Sequence, residues 1–285
     1  MRAFLILLLS ISVTGNSLAQ IQKVKGNKIV MTEEKIVEGF HTIELYNNFE
    51  VSLEEDSDSY VKIEADSNLQ EYIDVEVQDS ILIIKTDKVF RRAKALNISI
   101  HYGSELKKIK TYDKVNLKSL SPIKSSEIII ESNNESETFL TIDTGKLSSI
   151  SNGKSETELH ATASEISYQV NENSDLTGIV TTDSLKVDIY QKGYVKLEGE
   201  AKSMLSRIDG NTKFYGQKLS TGKTNLIAEG SSECYLLVND LIEIDAQETA
   251  KIYLLGEPKI TITRFSNEVT LYKKNLDYNP NRLKL

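Results

Sequence analysis

One spacing constrains this chain more than any other property. Apolar residues standing just before a short polar turn recur at Ile109, Ile130, Ile150, Val170, Ile189, Ile208, Ala228, Ile244 and Ile262. The intervals are 21, 20, 20, 19, 19, 20, 16 and 18 residues. A unit of about 20 residues is too small to bury its own apolar face, so it must stack on copies of itself.

Alternation within the units assigns the inward side chains. Val187 and Ile189 point in, the turn at 190–194 follows, and Val195 and Leu197 point in again. The next units use Leu205, Ile208 and Phe214, then Leu226, Ala228, Cys234 and Leu236. Short strands stacked in parallel at roughly 4.8 Å per coil make a β-helix. An antiparallel sandwich also has regular turns, but it does not need one apolar position refilled every 20 or so residues. Helical periodicity is nearly absent, and residues 68–73 give at most a turn or one short helix.

The expected organisation has four parts. Residues 1–19 read as an export signal: Arg2, an apolar run over 4–13 too short to span a bilayer, and small residues at Ser17 and Ala19 before Gln20. Residues 20–103 read as a β-rich leading and capping segment with alternating strands at 42–45, 49–53, 60–65, 75–77, 81–85 and 97–100. Residues 104–272 are the repeats, and 273–285 are placed to cover the far end. No linker separates the segments, so 20–285 reads as one body. The single Cys234 excludes an intrachain disulfide. A formal charge of −8 disfavours nucleic acid and anionic membranes as partners, and no second apolar run approaches membrane-spanning length.

The leading segment resembles a known family. The stretches are Val37-Glu38-Gly39-Phe40-His41-Thr42-Ile43, Phe49-Glu50-Val51-Ser52-Leu53, Val61-Lys62-Ile63-Glu64-Ala65-Asp66-Ser67-Asn68-Leu69 and Ile81-Leu82-Ile83-Ile84. They are similar to the opening of the "putative auto-transporter adhesin, head GIN domain" family of exported Bacteroidetes proteins, and the likeness runs over about 26–272. The resemblance implies a right-handed parallel β-helix, shaped like a pectin lyase but without its catalytic residues, and a role in adhesion. The chain departs from the family in its turns. Gly-Ser-Gly-Asp patterns are replaced by stretches such as Ser132-Asn133-Asn134-Glu135, Asn171-Glu172-Asn173-Ser174 and Asp209-Gly210-Asn211-Thr212. Asn and Asp tolerate the left-handed backbone that Gly otherwise supplies.

Candidate sites follow from the expected register. Glu131, Asp209, Glu229 and Asp245 each come one position after a reference residue, and the last three belong to consecutive coils. Stacked carboxylates repel unless a cation or a proton relieves them. The row therefore reads as a Ca²⁺ site at Asp209, Glu229 and Asp245, as an acidic catalytic row, or as a solvated edge. The Gly-Gly-x-Gly-x-Asp calcium motif is absent. Arg207 and Arg264 are the only arginines in the repeats, and alternation puts Arg207 on the face of Asp209. Cys234 reads as a buried thiol in a column with Val195, Phe214 and Ala250. His41, His101 and His160 have no metal-ligand spacing.

Tyr168, Tyr190, Tyr194, Tyr215, Tyr235 and Tyr253 suit carbohydrate or protein contacts where they are exposed, and pack as half-buried strand residues otherwise. Tyr190 and Tyr194 bracket a turn and are the expected binding pair. The composite reading is an exported, periplasmic or cell-surface, non-enzymatic scaffold that contacts extended glycans or surface proteins. A polysaccharide-degrading enzyme using the acidic row, and a periplasmic structural or envelope-stress component, are the alternatives. No cofactor other than Ca²⁺ is expected.

Overall fold

A computed structural model describes residues 22–103 and 105–278. The expected export signal and the last seven residues lie outside them. The leading strands are β1 (Lys23–Lys25), β2 (Val30–Ile36), β3 (Thr42–Leu45), β4 (Glu50–Glu55), β5 (Tyr60–Asp66), β6 (Asp74–Gln78), β7 (Ile81–Lys85), β8 (Val89–Arg91) and β9 (Leu96–Tyr102). The coil strands are β10 (Lys108–Thr111), β11 (Asn116–Ser119), β12 (Ile123–Ser132), β13 (Glu137–Ser151), β14 (Glu156–Val170), β15 (Asp175–Ile189), β16 (Tyr194–Ile208), β17 (Lys213–Ala228), β18 (Glu233–Ala246), β19 (Lys251–Leu255), β20 (Lys259–Phe265) and β21 (Thr270–Lys273). The chain is an all-β solenoid of about nine turns at roughly 19 residues per coil. The stretch expected to turn near 68–73 holds a single 3-10 turn, Gln70–Tyr72.

Each long strand bends once and so contributes to two parallel sheets. In β13 the inward residues of the first arm are Thr138, Leu140, Ile142 and Thr144, and those of the second are Leu147, Ser149 and Ser151. The first arms stack through β4, β11 and β13 to β19 and β21, which we call sheet one. The second arms stack through β3, β10, β12 and β13 to β18 and β20, which we call sheet two. The ladder reaches back into the leading segment, because Ile43 pairs with Ile109 and Val51 with Leu117. Over the first coil, β9 and β7 add in parallel to β4 and β3, and antiparallel pairs then cap them: β5 and β2 beyond β9 on sheet one, and β6 beyond β7 on sheet two.

Five of the nine reference residues stand off the pre-turn column: Ile109, Ile130, Ile150, Ile244 and Ile262. Ile130 pairs with Ser149, so Ile150 faces outward beside Gln169. Ile244 pairs with Leu226, and Ala246 pairs with Ala228. The true pre-turn column is Ser132, Ser151, Val170, Ile189, Ile208, Ala228, Ala246 and Phe265. Ser132 and Ser151 stand in it because a solenoid core accepts a hydroxyl that finds a neighbour. Ser151 Oγ lies 3.0 Å from Thr157 Oγ1, and Ser132 Oγ donates to Thr138 Oγ1. Leu205, expected inside, is 43% exposed while Ser206 takes the buried position.

One turn position is left-handed in every coil. Asp113, Asn134, Gly153, Glu172, Gln191, Gly210, Gly230, Glu248 and Asn267 all have φ between 55° and 94°. The glycines are needed sterically. A Cβ at Gly210 would come 2.6 Å from the Gln191 carbonyl oxygen. Beside this turn, Asn171 Nδ2 donates to Asn152 Oδ1 at 2.8 Å, and Asn152 Nδ2 to Asn133 Oδ1 at 3.0 Å. This amide ladder links three consecutive turns, those of Asn134, Gly153 and Glu172.

Candidate functional site

Strand alternation displays every second residue of sheet one to solvent, and parallel register stacks like positions. Glu137, Glu156 and Asp175 form one such column on β13, β14 and β15. It lines a hollow of ≈ 370 Å³ together with Glu158, Phe139 and Asn116. Asn116 Nδ2 donates to Glu137 Oε2 at 3.3 Å. Burial and the Glu156 carboxylate push the Asp175 pKa up. This is the stacked acidic row of the molecule. The sequence carried it in the residue opening each strand, whereas the expected row was sought just before the turn.

At the other margin of the same face, six coils share a groove of ≈ 650 Å³ beside the bend of each strand. Its outward column is Asp143, Thr162, Thr181, Glu200 and Ser220. Behind it stand the small residues Thr144, Ala163, Thr182 and Ala201, which keep the floor low. Lys202 Nζ lies 2.6 Å from Asp183, and Asn239 Nδ2 donates to Ser220 Oγ at 2.9 Å. Asp143 and Glu200 have no ion pair among the described residues. Between the margins, Phe139 and Ile179 are 40% and 50% exposed, and the Phe139 ring meets His160 edge-on at 5.4 Å. The face therefore offers hydroxyls, uncompensated carboxylates and two apolar contacts along a straight path.

The residues expected to bind a cation are not stacked together. Asp209 and Glu229 occupy neighbouring places in the turn column, where Gln247 follows. Asp245 pairs with Ile227 and with Arg264, two residues away from that column. The cause is the register at Ala246. Arg264 supplies the positive charge: Nε donates to Asp245 Oδ1 at 2.6 Å, Nη1 to Gln247 Oε1 at 2.8 Å, and Nη2 lies 3.7 Å from Glu229. Gln247 Nε2 donates to Glu229 Oε1. Among the described residues no three His, Cys, Asp or Glu side chains are grouped to hold a metal ion. Arg207 forms no ion pair with Asp209. Glu131 is paired with Lys108.

Tyr190 and Tyr194 are half-buried rather than displayed. Tyr190 follows Asn171 in the turn column, and Tyr194 tilts onto Tyr215 at 5.4 Å. From there the rings run on down sheet one. Tyr215 stacks on Tyr235 at 4.8 Å, Tyr235 on Tyr253 at 4.4 Å, and Tyr253 on Tyr272 at 4.9 Å. Tyr278 closes over Tyr235 and Tyr253, and Lys274 Nζ sits 4.7–5.5 Å from three of the rings. Ring faces packed on one another are closed to a ligand. Tyr168 is fully buried, and burial raises its hydroxyl pKa.

Cys234 is in the core as expected, with its thiol pushed up to about 12 by burial. Its column partners are Phe214 and Ile252; Ala250 stands two residues away from that column. His101 lies 3.5 Å from Asp56 and stacks on Tyr60, while His160 lies 3.3 Å from Glu158. No described helix is long and apolar enough to cross a membrane.

The family model "Putative auto-transporter adhesin, head GIN domain" matches residues 39–179 and 162–258. The chain belongs to this family. The match takes in the acidic column, the groove and the cap strands other than β2. Among solved structures, a "putative adhesin" from Parabacteroides distasonis is similar at TM-score 0.67 and 17% identity, over 89% of this chain and 100% of that one. A "putative adhesin" from Parabacteroides merdae gives 0.61 and 17%, over 89% and 99%. A "putative lipid binding protein" from Parabacteroides distasonis gives 0.57 and 14%, over 89% and 100%. At these identities the likeness is one of fold. Comparison with curated proteins finds no match.

Proposed function

We propose that this family member is a non-enzymatic, exported binding scaffold that holds an extended, hydroxyl-rich chain along the outer face of sheet one. The carrying observation is the groove that repeats a hydroxyl or carboxyl group on successive coils, from Asp143 to Ser220. A repeat of roughly 4.8 Å presents one polar group at a time to a linear polymer. Weak contacts repeated in register add up through effective concentration. Carboxylates accept from sugar hydroxyls and attract amino groups, and they repel uronates, sulfates and phosphates. The ligand class is thus a neutral or amino-sugar glycan. The adhesin designation of the family and of the similar solved structures supports a binding role at a surface.

The enzyme alternative finds less support. Glu229 and Asp245 of the expected acidic row are held by Arg264, and among the described residues no arginine or lysine pairs with Glu137, Glu156 or Asp175 to serve as a base partner. A glycan array tests the proposal. Neutral and amino-sugar polymers should be retained and polyuronates should not. Retention of polyanions alone would reject it.

A further inference from the structure

Among the described residues, both sheets of the solenoid end on strands with a free edge. At the far end, β20 has β18 as its only partner among the described residues, and β21 has only β19. Every residue of β20 is exposed. Ile260 and Ile262 continue the columns of Ile242 and Ile244, which are fully buried, yet they are 43% and 49% exposed. Phe265 below the buried Ala246 is 43% exposed. The apolar filling of one more coil is present, and no described strand covers it.

At the near end, β2 is the outer strand of sheet one and β6 of sheet two. Between them lies a hollow of ≈ 580 Å³ with Ile73 and Val75 in its lining. Its charged lining is Glu33, Glu71, Asp74 and Glu76 against Lys35. Glu76 is paired with Lys85, whereas Glu33, Glu71 and Asp74 have no ion pair among the described residues. The strands of the far end have the opposite sign, with Glu268 in the turn between them. β20 and β21 carry Lys259, Arg264 and Lys273 and no acidic residue. Arg264 and Lys273 are paired with side chains of their own end, and Lys259 has no ion pair among the described residues.

From the fit of these two ends we infer that the chain stacks head to tail on a second copy of itself, the basic β20–β21 end of one seating on the acidic β2–β6 end of the next. Sheet one would continue through β21 against β2 in parallel. Sheet two would continue through β20 against β6 in the antiparallel sense, since β6 runs opposite to β7 and hence to the coils. Edge pairing satisfies the free backbone groups, and Ile260, Ile262 and Phe265 are covered. The contact is heterologous, so it propagates into a filament instead of closing as a dimer.

Sedimentation velocity on the purified full chain tests this. At low salt the mass should rise with concentration past two copies, and 0.5 M NaCl should weaken the association because the matching charges are exposed. The pair E33K/E76K makes both ends basic, and K259E/K273E makes both ends acidic. Each double variant alone should sediment as a monomer with an unchanged circular dichroism spectrum, and an equimolar mixture should associate again. A monomer at every concentration overturns the inference. So does association that stops at two copies and survives E33K/E76K, or a mixture that stays monomeric.

Discussion

Sheet one shows two different faces along one solenoid. Over β13 to β16 its outward columns hold Glu137, Glu156 and Asp175 at one margin and Asp143, Thr162, Thr181 and Glu200 at the other. Over β17 to β21 it holds Tyr215, Tyr235, Tyr253 and Tyr272, each ring stacked on the next. The same backbone register produces both. Where it stacks like charges, the groups repel and stay available to a partner. Where it stacks aromatic rings, they satisfy one another and become structure. A repeated residue on a solenoid is therefore a site only if its copies cannot saturate each other.

The largest expected effect breaks the tyrosine half. Tyr235 is 5% exposed between two rings, so Tyr235→Ala should cost about 3–5 kcal/mol by denaturant unfolding. Ligand retention by the folded fraction should not change. A cost under about 1 kcal/mol would mean the ladder is not a unit of stability.

The turns give a smaller and opposite effect. Glu172 and Gln191 hold the left-handed position that Gly153 and Gly210 hold in other coils. Relief of that conformation should make Gln191→Gly stabilising by about 1 kcal/mol at most. A loss of stability would show that the side chain is needed where it is.

The acidic half should respond most weakly and only through pH. Asp175 is raised by burial and by Glu156. A group whose folded pKa lies above its unfolded value favours folding when protonated, and that contribution is lost as pH rises through the folded pKa. Asp175→Asn should therefore raise the melting temperature by a degree or so at pH 7, with the gain fading below about pH 4. A gain that persists unchanged at pH 3 would contradict the stacking of these carboxylates.

The solenoid was legible because inward Val, Leu and Ile recur at a near-constant interval, and Val187, Ile189, Phe214 and Cys234 are all inside. Its register was less legible. Alternation fixes parity, so Ile244 and Ala246 are equally good candidates for the pre-turn position, and only pairing decides for Ala246. That two-residue difference moved Asp245 out of the expected cation row. Ser149, Ser151 and Ser206 escaped notice because buried serines do not mark a core in sequence. The tyrosine ladder was hidden for a related reason. Its rings pair in regular register from Tyr215 to Tyr235, Tyr253 and Tyr272, but the shifts later in β17 make their sequence spacing uneven. Tyr190 and Tyr194 were sought for exposure at a turn, and neighbouring coils half-cover both.

The decisive measurement is equilibrium binding of a neutral or amino-sugar polymer, taken from the glycan array, to the wild-type chain and to D143K/E200K. Both side chains are exposed and free of ion pairs among the described residues, so stability should move by no more than about 0.5 kcal/mol per site. Affinity should fall at least about tenfold, which corresponds to about 1.4 kcal/mol. Unchanged affinity in a folded D143K/E200K protein would contradict a ligand path along this groove.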